Sequence, residues 1–190
     1  MVKFLTFLIF IISVQSWVKA DNINEFQIEG ISIGDSALDY FSKKEIKDNK
    51  QNYYNDDKFI PSEFEYFKIF KTYDAIQISY KKNDPNYKIY AIAGFLDYPK
   101  NINNCYKKMR EISNEISEIF ANAQKQDFNF KHQGDPSGKS VTKGVIFHIE
   151  SGSISVGCDD WSKDIGYLDV LRIDITSKEF QKWINEDAYN

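Results

Sequence analysis

Cysteine and histidine are scarce in this chain, and positive charge is nowhere concentrated. The two cysteines, Cys105 and Cys158, have no histidine near them and are not spaced as a Cys-x-x-Cys pair. A zinc site and a dithiol redox centre are therefore excluded as readings of them. Acidic residues outnumber basic ones, giving a formal net charge of -4, and the lysines are scattered along the chain. Nucleic acid and anionic lipid both demand a clustered positive patch, so neither is an expected partner. There is no internal repeat and no low-complexity linker. Beyond the first twenty residues no stretch is apolar enough to cross a bilayer, so no membrane span is expected in the mature chain.

What is present begins with Met1 to Ala20. Lys3 supplies one positive charge, Phe4 to Val14 forms a short apolar run, and Val18-Lys19-Ala20 makes a small-residue exit before Asp21. That is the pattern of a secretory signal peptide cleaved after Ala20. No cysteine stands beside the cleavage point, which excludes a lipid anchor there. The expectation is a soluble periplasmic or secreted protein formed by residues 21 to 190 as one domain. In an oxidising compartment the two cysteines are expected to pair as a Cys105–Cys158 disulfide. The richness in Asn, Lys, Ile, Tyr and Phe is read as the signature of an AT-rich genome rather than as an aromatic binding surface.

The chain is organised around Tyr87 to Ala123. YKIYAIAGFL is apolar on both faces, as a covered central strand would be. INNCYKKMREISNEISEIFANA carries Tyr106, Met109, Ile112, Ile116, Ile119, Phe120 and Ala123 at helical spacing, which predicts an amphipathic core helix with Cys105 in its first turn. Before this pair, Phe26 to Ile33 reads as a short strand broken at Gly30. Asp35 is the expected N-cap of a turn that points Ala37, Leu38 and Phe41 inward, and Ser42 with Glu45 forms a capping box. Alternation from Glu65 through Phe67 and Ile69, and again at Ile76, Ile78 and Tyr80, predicts two strands. Tyr53 and Tyr54 are expected to cover the underside of a polar loop.

After the helix, Gln124 to Thr142 reads as a long polar loop. GVIFHIE and SISVGCD flank Ser151-Gly152 as a β-hairpin, with Val145, Phe147 and Ile149 on one face and Ile154, Val156 and Cys158 on the other strand's inner face. A strand from Leu168 to Ile175 and a helix opened by a Thr176 to Glu179 capping box, with Phe180, Trp183 and Ile184 on its apolar stripe, complete the chain. The fold class is α+β: a single domain with a mostly antiparallel sheet of about five to seven strands, one long helix, and shorter N- and C-terminal helices packed on it.

Among the motifs, QGDPSGKS at Gln133 to Ser140 imitates a P-loop but has Gln133 where the first glycine belongs. It is also followed by a strand pattern rather than a helix, so the phosphate-binding reading fails. Neither His132 nor His148 has a carboxylate or cysteine at ligand spacing, and no Ca²⁺-loop spacing accounts for Asp159, Asp160 and Asp164. No cofactor and no metal are expected. The candidate contact residues for a protein or small-molecule partner are Gly134, Asp135, Ser137, Lys139 and Ser140 in the first loop, with Asp159, Asp160 and Trp161 after the hairpin.

ISIGDSAL at Ile31 to Leu38 resembles the first block of GDS-type serine esterases and lipases, and that resemblance makes Ser36 the nucleophile. The chain lacks the family's Asp-x-x-His pair and its Gly-x-Asn-Asp block, so Ser36 has no base to activate it. More widely, IEGISIGDSALDYFSKKEI, NCYKKMREI, GDPSGKS, CDDWS and the closing SKEF segment resemble a group of uncharacterised small exported proteins from bacteria with reduced, AT-rich genomes. That resemblance implies export and a shared fold, with no activity attached to any residue. The expectation is a non-enzymatic binding or interaction domain; the alternative is a serine esterase acting through Ser36.

Overall fold

The computed structural model describes residues 22 to 190; the leader Met1 to Ala20 and its cleavage lie outside them. Alternating apolar positions pair into a seven-stranded antiparallel sheet built from β3 (Phe59–Glu65), β4 (Ala75–Lys81), β5 (Ile89–Asp97), β6 (Gln124–Lys131), β7 (Val141–Ile149), β8 (Gly152–Asp160) and β9 (Val170–Ser177). Their order across the sheet is β3-β4-β5-β9-β8-β7-β6, and a separate two-stranded ribbon joins β1 (Gln27–Ile28) to β2 (Ile31–Ser32). Three α-helices complete the α+β domain: α1 (Lys43–Asp48), α2 (Ile102–Ile119) and α3 (Lys178–Glu186).

The pairing registers divide the sheet into two unlike faces. Ile154, Val156 and Cys158 stand opposite Ile175, Ile173 and Leu171, and all six are buried. Each aliphatic side chain so enclosed contributes about 1.5 to 3 kcal/mol, so this row is a main source of stability. Helix α2 lies over β8 and β9 on that face. Cys105 in its first turn bonds to Cys158 of β8, with Cα atoms 6.1 Å apart. Ile116 and Phe120 continue the buried seam, while the N-terminal Ile23, Ile28, Ile31, Ala37, Phe41 and Ile46 belong to the same core.

Several local expectations yield to tertiary packing. Ile119 is 42% exposed, and the buried positions of α2 are Cys105, Ser113 and Ile116. The disulfide pins the first turn and so sets the rotation of the whole helix. Gln124 to Lys131 is a strand, β6, rather than loop; apart from Phe128 and Phe130 its side chains are polar because it is an edge, and its pairing with β7 is made by backbone. Upstream, the strand is Phe59–Glu65 and ends where the alternation from Glu65 was expected to begin. Phe67 and Phe70 turn back instead onto Phe41, which stacks on Phe64 with centroids 3.8 Å apart.

The caps move by one residue in two places. Ser36, not Asp35, caps the 3₁₀ turn Ala37–Asp39, leaving Leu38 40% exposed. Asp35 instead accepts from the Ser32 N–H and the Tyr40 hydroxyl. Ser177, not Thr176, caps α3, and Glu179 is free to pair with Lys58 and Lys81. The Ser42–Glu45 capping box of α1 forms as the sequence indicates.

Candidate functional site

The opposite face of the sheet is covered only at one end. There α3 packs Phe180 and Trp183 against Phe59 and Ala91. The remainder is an open concavity of about 1010 Å³. Its floor follows directly from the register. One row of cross-strand neighbours runs Ile146, Ser155, Asp174, Ala93, Gln77 and Glu63. The next row runs His148, Ser153, Thr176, Ala91 and Ser79. Small side chains at the centre keep the floor low and leave room above it.

The walls are aromatic. Phe128 lies across Gly144 and Gly157, where an added Cβ would stand 2.5 Å and 3.1 Å from its ring edge. Only glycine at Gly144 lets the ring lie flat on the sheet. Phe130 stacks beside Phe128, with centroids 5.6 Å apart. Trp161 packs on His132 at 4.0 Å and meets Tyr167 at 4.9 Å. Across the floor, the loop after α1 carries Tyr53 and Tyr54 into the lining, so these rings face the concavity as well as the loop that bears them.

The polar groups of the floor are held in fixed pairs. Arg172 donates to Asp174 Oδ1 from Nε at 2.7 Å and forms an ion pair with the same oxygen, Nη2 standing 2.6 Å from it, and Ser155 donates to Asp174 Oδ2 at 3.1 Å. Burial opposes the charge on Arg172, but Asp174 outweighs it and raises the guanidinium above its ordinary range. Its plane lies over the Phe95 ring, 5.3 Å from the centroid. Gln77 donates to Glu63 at 2.8 Å and Tyr53 does so at 3.3 Å. Burial pushes the Tyr54 hydroxyl up to about 12, with Tyr189 adding to the shift. These groups keep spare lone pairs and N–H donors toward the concavity while their rotamers are fixed, which is how a site recognises a ligand without reorganising.

No protein family, curated protein or solved structure matches the chain. What the concavity does must therefore be read from its own chemistry.

The two stretches singled out from sequence meet in space. Gln133 to Ser140 turns at one end of the sheet and packs against the segment after β8: Ser162 N–H donates to Ser140 Oγ at 2.8 Å, and Lys139 pairs with Asp164 at 2.6 Å. Asp135 is buried and accepts from Ser137 N–H, Ser140 N–H and the Ser140 hydroxyl. Those bonds, led by the Ser140 hydroxyl, hold its carboxyl far below the usual carboxylate range. The loop's own carboxylate thus occupies the amide groups that a phosphate would need, while Gly134 and Ser137 are exposed beside it.

Of the three residues after the hairpin, Asp159 and Trp161 line the concavity, and Asp159 accepts from Thr142 at 2.6 Å. Asp160 faces the helix side and accepts from Tyr106 at 3.3 Å. Ser36 is remote from this surface: its hydroxyl donates to the Asn86 carbonyl at 2.7 Å and accepts from Leu38 N–H as a cap. Among the described residues no cluster of His, Cys, Asp and Glu is arranged to hold a metal ion. Sequence reasoning passed over Arg172, Asp174, Ser153 and Ser155, and weighed His148 only as a metal ligand or catalytic base. Their signal was present as the polar half of each alternating strand, which by itself is indistinguishable from an ordinary solvated face.

Proposed function

We propose that this is an exported, non-enzymatic binding domain whose open sheet face takes a neutral, hydroxyl-rich ligand with flat apolar faces, the chemistry of a short saccharide. The observation that carries the reading is the juxtaposition, across one concavity of about 1010 Å³, of aromatic planes with a floor of pre-paired hydroxyl, amide and carboxylate groups. Such rings offer stacking area at small entropic cost, and the floor offers donors and acceptors already in place. Arg172 is neutralised by Asp174, and Glu63 and Asp159 add negative charge, so an anionic ligand is disfavoured. Export is supported by the leader sequence, by the resemblance to small exported proteins, and by the Cys105–Cys158 bond, which is compatible with an oxidising compartment. Among the described residues no helix is long and apolar enough to cross a membrane.

The test is titration with neutral oligosaccharides, followed by tryptophan fluorescence and calorimetry. Saturable binding at roughly micromolar to millimolar concentration, lost in Trp161→Ala and in Arg172→Ala, is the expected result. If no saccharide binds but other neutral compounds do, the ligand class is wrong; if nothing perturbs Trp161, the binding reading falls. A fluorophosphonate probe addresses hydrolysis separately. Labelling that disappears in Ser36→Ala would overturn the non-enzymatic reading.

A further inference from the structure

The two outer edges of the seven-stranded sheet end differently. Along β3 the edge is occupied by the chain itself: Gln51 N–H donates to Pro61 O at 2.9 Å, Glu63 N–H donates to Asn49 O at 3.0 Å, and Lys50 is bridged to Ser62. β6 has no such cover. Among the described residues its backbone pairs with β7 alone, and every residue of it except Phe128 is exposed.

Which amides point to the open side follows from one bond. His132 N–H donates to Ser140 O at 2.9 Å, continuing the β6–β7 register. Hydrogen-bonded pairs alternate along an antiparallel ladder, so Gln126, Phe128 and Phe130 turn their N–H groups toward β7. Asp127, Asn129 and Lys131 turn theirs outward.

We infer that β6 pairs antiparallel with β6 of a second copy of this chain, about a two-fold axis at Asn129. Lysines on an edge normally repel an added strand, and Lys125 and Lys131 stand here. A second copy centred on Asn129 is the exception. It sets Asp127 opposite Lys131 of the second copy and Lys131 opposite its Asp127, with Asn129 facing Asn129. On the face of the concavity it sets Phe128 opposite Phe130, which is 51% exposed in the isolated chain.

Neighbouring two-fold registers lose by charge or by waste of the aromatic rings, and one centred on residue 130 carries Asp127 past the end of the strand and so loses both ion pairs. Centring on residue 127 opposes two aspartates, and centring on residue 128 opposes Lys125 to Lys131. Centring on residue 126 matches the charges but leaves Phe130 beyond the end of the paired strand. The outward amides of Asp127, Asn129 and Lys131 are the ones that the Asn129 register uses. The interface is isologous and closed, as a two-fold dimer requires, and it joins the two sheets into one, leaving the polar floor free while setting the wall residues Phe128 and Phe130 at the seam.

The experiment is sedimentation of the purified protein across concentration, with four variants. A reversible dimer is expected for the native chain. Asp127→Lys and Lys131→Asp each place like charges opposite one another twice, and each weakens the dimer by roughly tenfold. The double exchange restores the pairing and returns the dissociation constant to within roughly threefold of the native value. Asn129→Pro removes an outward N–H that β7 does not use and abolishes the dimer. Thermal melts of the variants establish that the protomer remains folded. A native chain that stays monomeric up to about 1 mM, or a dimer whose dissociation constant is the same in all the variants, overturns the inference. The varied positions 127, 129 and 131 lie outside the lining of the concavity, so oligosaccharide titration of the same variants reports on the binding reading separately.

Discussion

Arg172 and Asp174, two residues apart on β9, face the same side of the sheet and are joined by a 2.7 Å hydrogen bond from Nε and a 2.6 Å ion-pair contact from Nη2 to one carboxylate oxygen. Alternation puts them on the same face, and the uncovered sheet makes them the charged centre of a floor rather than a solvated surface pair. Arg172→Ala removes this link and the guanidinium's packing over Phe95. Because the pair is only partly enclosed, the stability loss is small, about 1 kcal/mol, while ligand affinity falls by at least an order of magnitude. Asp174→Asn leaves Arg172 with a weaker partner and shifts ligand preference toward anions. Calorimetric binding and thermal denaturation of the two variants separate these effects.

Two glycines under Phe128 are expected to behave differently. At Gly144 an added methyl would stand 2.3 Å from the Val156 carbonyl oxygen, which is backbone and cannot move aside. Gly144→Ala is thus expected to destabilise the fold by about 2 to 3 kcal/mol. At Gly157 the nearest atoms are the Phe128 ring edge at 3.1 Å and the Lys143 carbonyl oxygen at 3.2 Å; the ring can shift, and the carbonyl contact is nearly 1 Å looser than the one at Gly144. Gly157→Ala should lose less than about 1 kcal/mol and instead displace Phe128 into the concavity. Denaturant unfolding orders the two; equal losses would contradict the geometry.

The bond between Cys105 and Cys158 spans a sequence separation of 53. Restricting the unfolded chain by a loop of that size is worth about 4 kcal/mol in the chain-entropy account. The Cys105→Ser, Cys158→Ser double variant is expected to unfold at markedly lower denaturant concentration. In the native protein, alkylation of the unfolded but unreduced chain should add no mass, and reduction should expose both thiols.

Acid sensitivity should concentrate at Asp135. Its native carboxyl is held below the ordinary range by the Ser140 and Ser137 groups that donate to it. A depressed native pKa stabilises the fold above the unfolded value, near 3.9, and that contribution is lost as pH falls from there toward the native value. Asp135→Asn cannot accept all of the same bonds, so it should melt at lower temperature than the native protein at neutral pH. The gap should narrow below about pH 4. Melting curves from neutral pH down to about pH 2 follow it, and a gap constant over that range would falsify the assignment.

The parts legible in the sequence are those governed by short-range periodicity. The α+β class, the helix after Asn101 and the apolar stripe of α3 each repeat a local pattern that a few residues suffice to define. The β7–β8 hairpin was legible too, but its two turn residues are Glu150 and Ser151 rather than Ser151 and Gly152, because Gly152 pairs with Ile149 as the first residue of β8. Strand β6 was hidden because an edge strand buries little: all but Phe128 and Phe130 of its side chains are polar, close to a loop's composition, and backbone pairing with β7 alone makes it a strand. The step from Asp35 to Ser36 as cap, and from Thr176 to Ser177, was hidden because either residue could cap. The choice depends on where Asp35 and Glu179 find other partners.

Sequence alone determined which residues of each strand share a face, since alternation is a property of the extended backbone, and it determined that the two cysteines were available to one another. Only the tertiary structure decided what each face meets. It put α2 over the aliphatic rows and left Arg172, Asp174, Ser155 and Ser153 facing an open concavity. It also brought Ser140 and Lys139 against Ser162 and Asp164, residues more than twenty positions away. The physical reason is that periodicity specifies direction within one element, whereas a site is made by register between elements, and register is fixed by the packing of the whole domain.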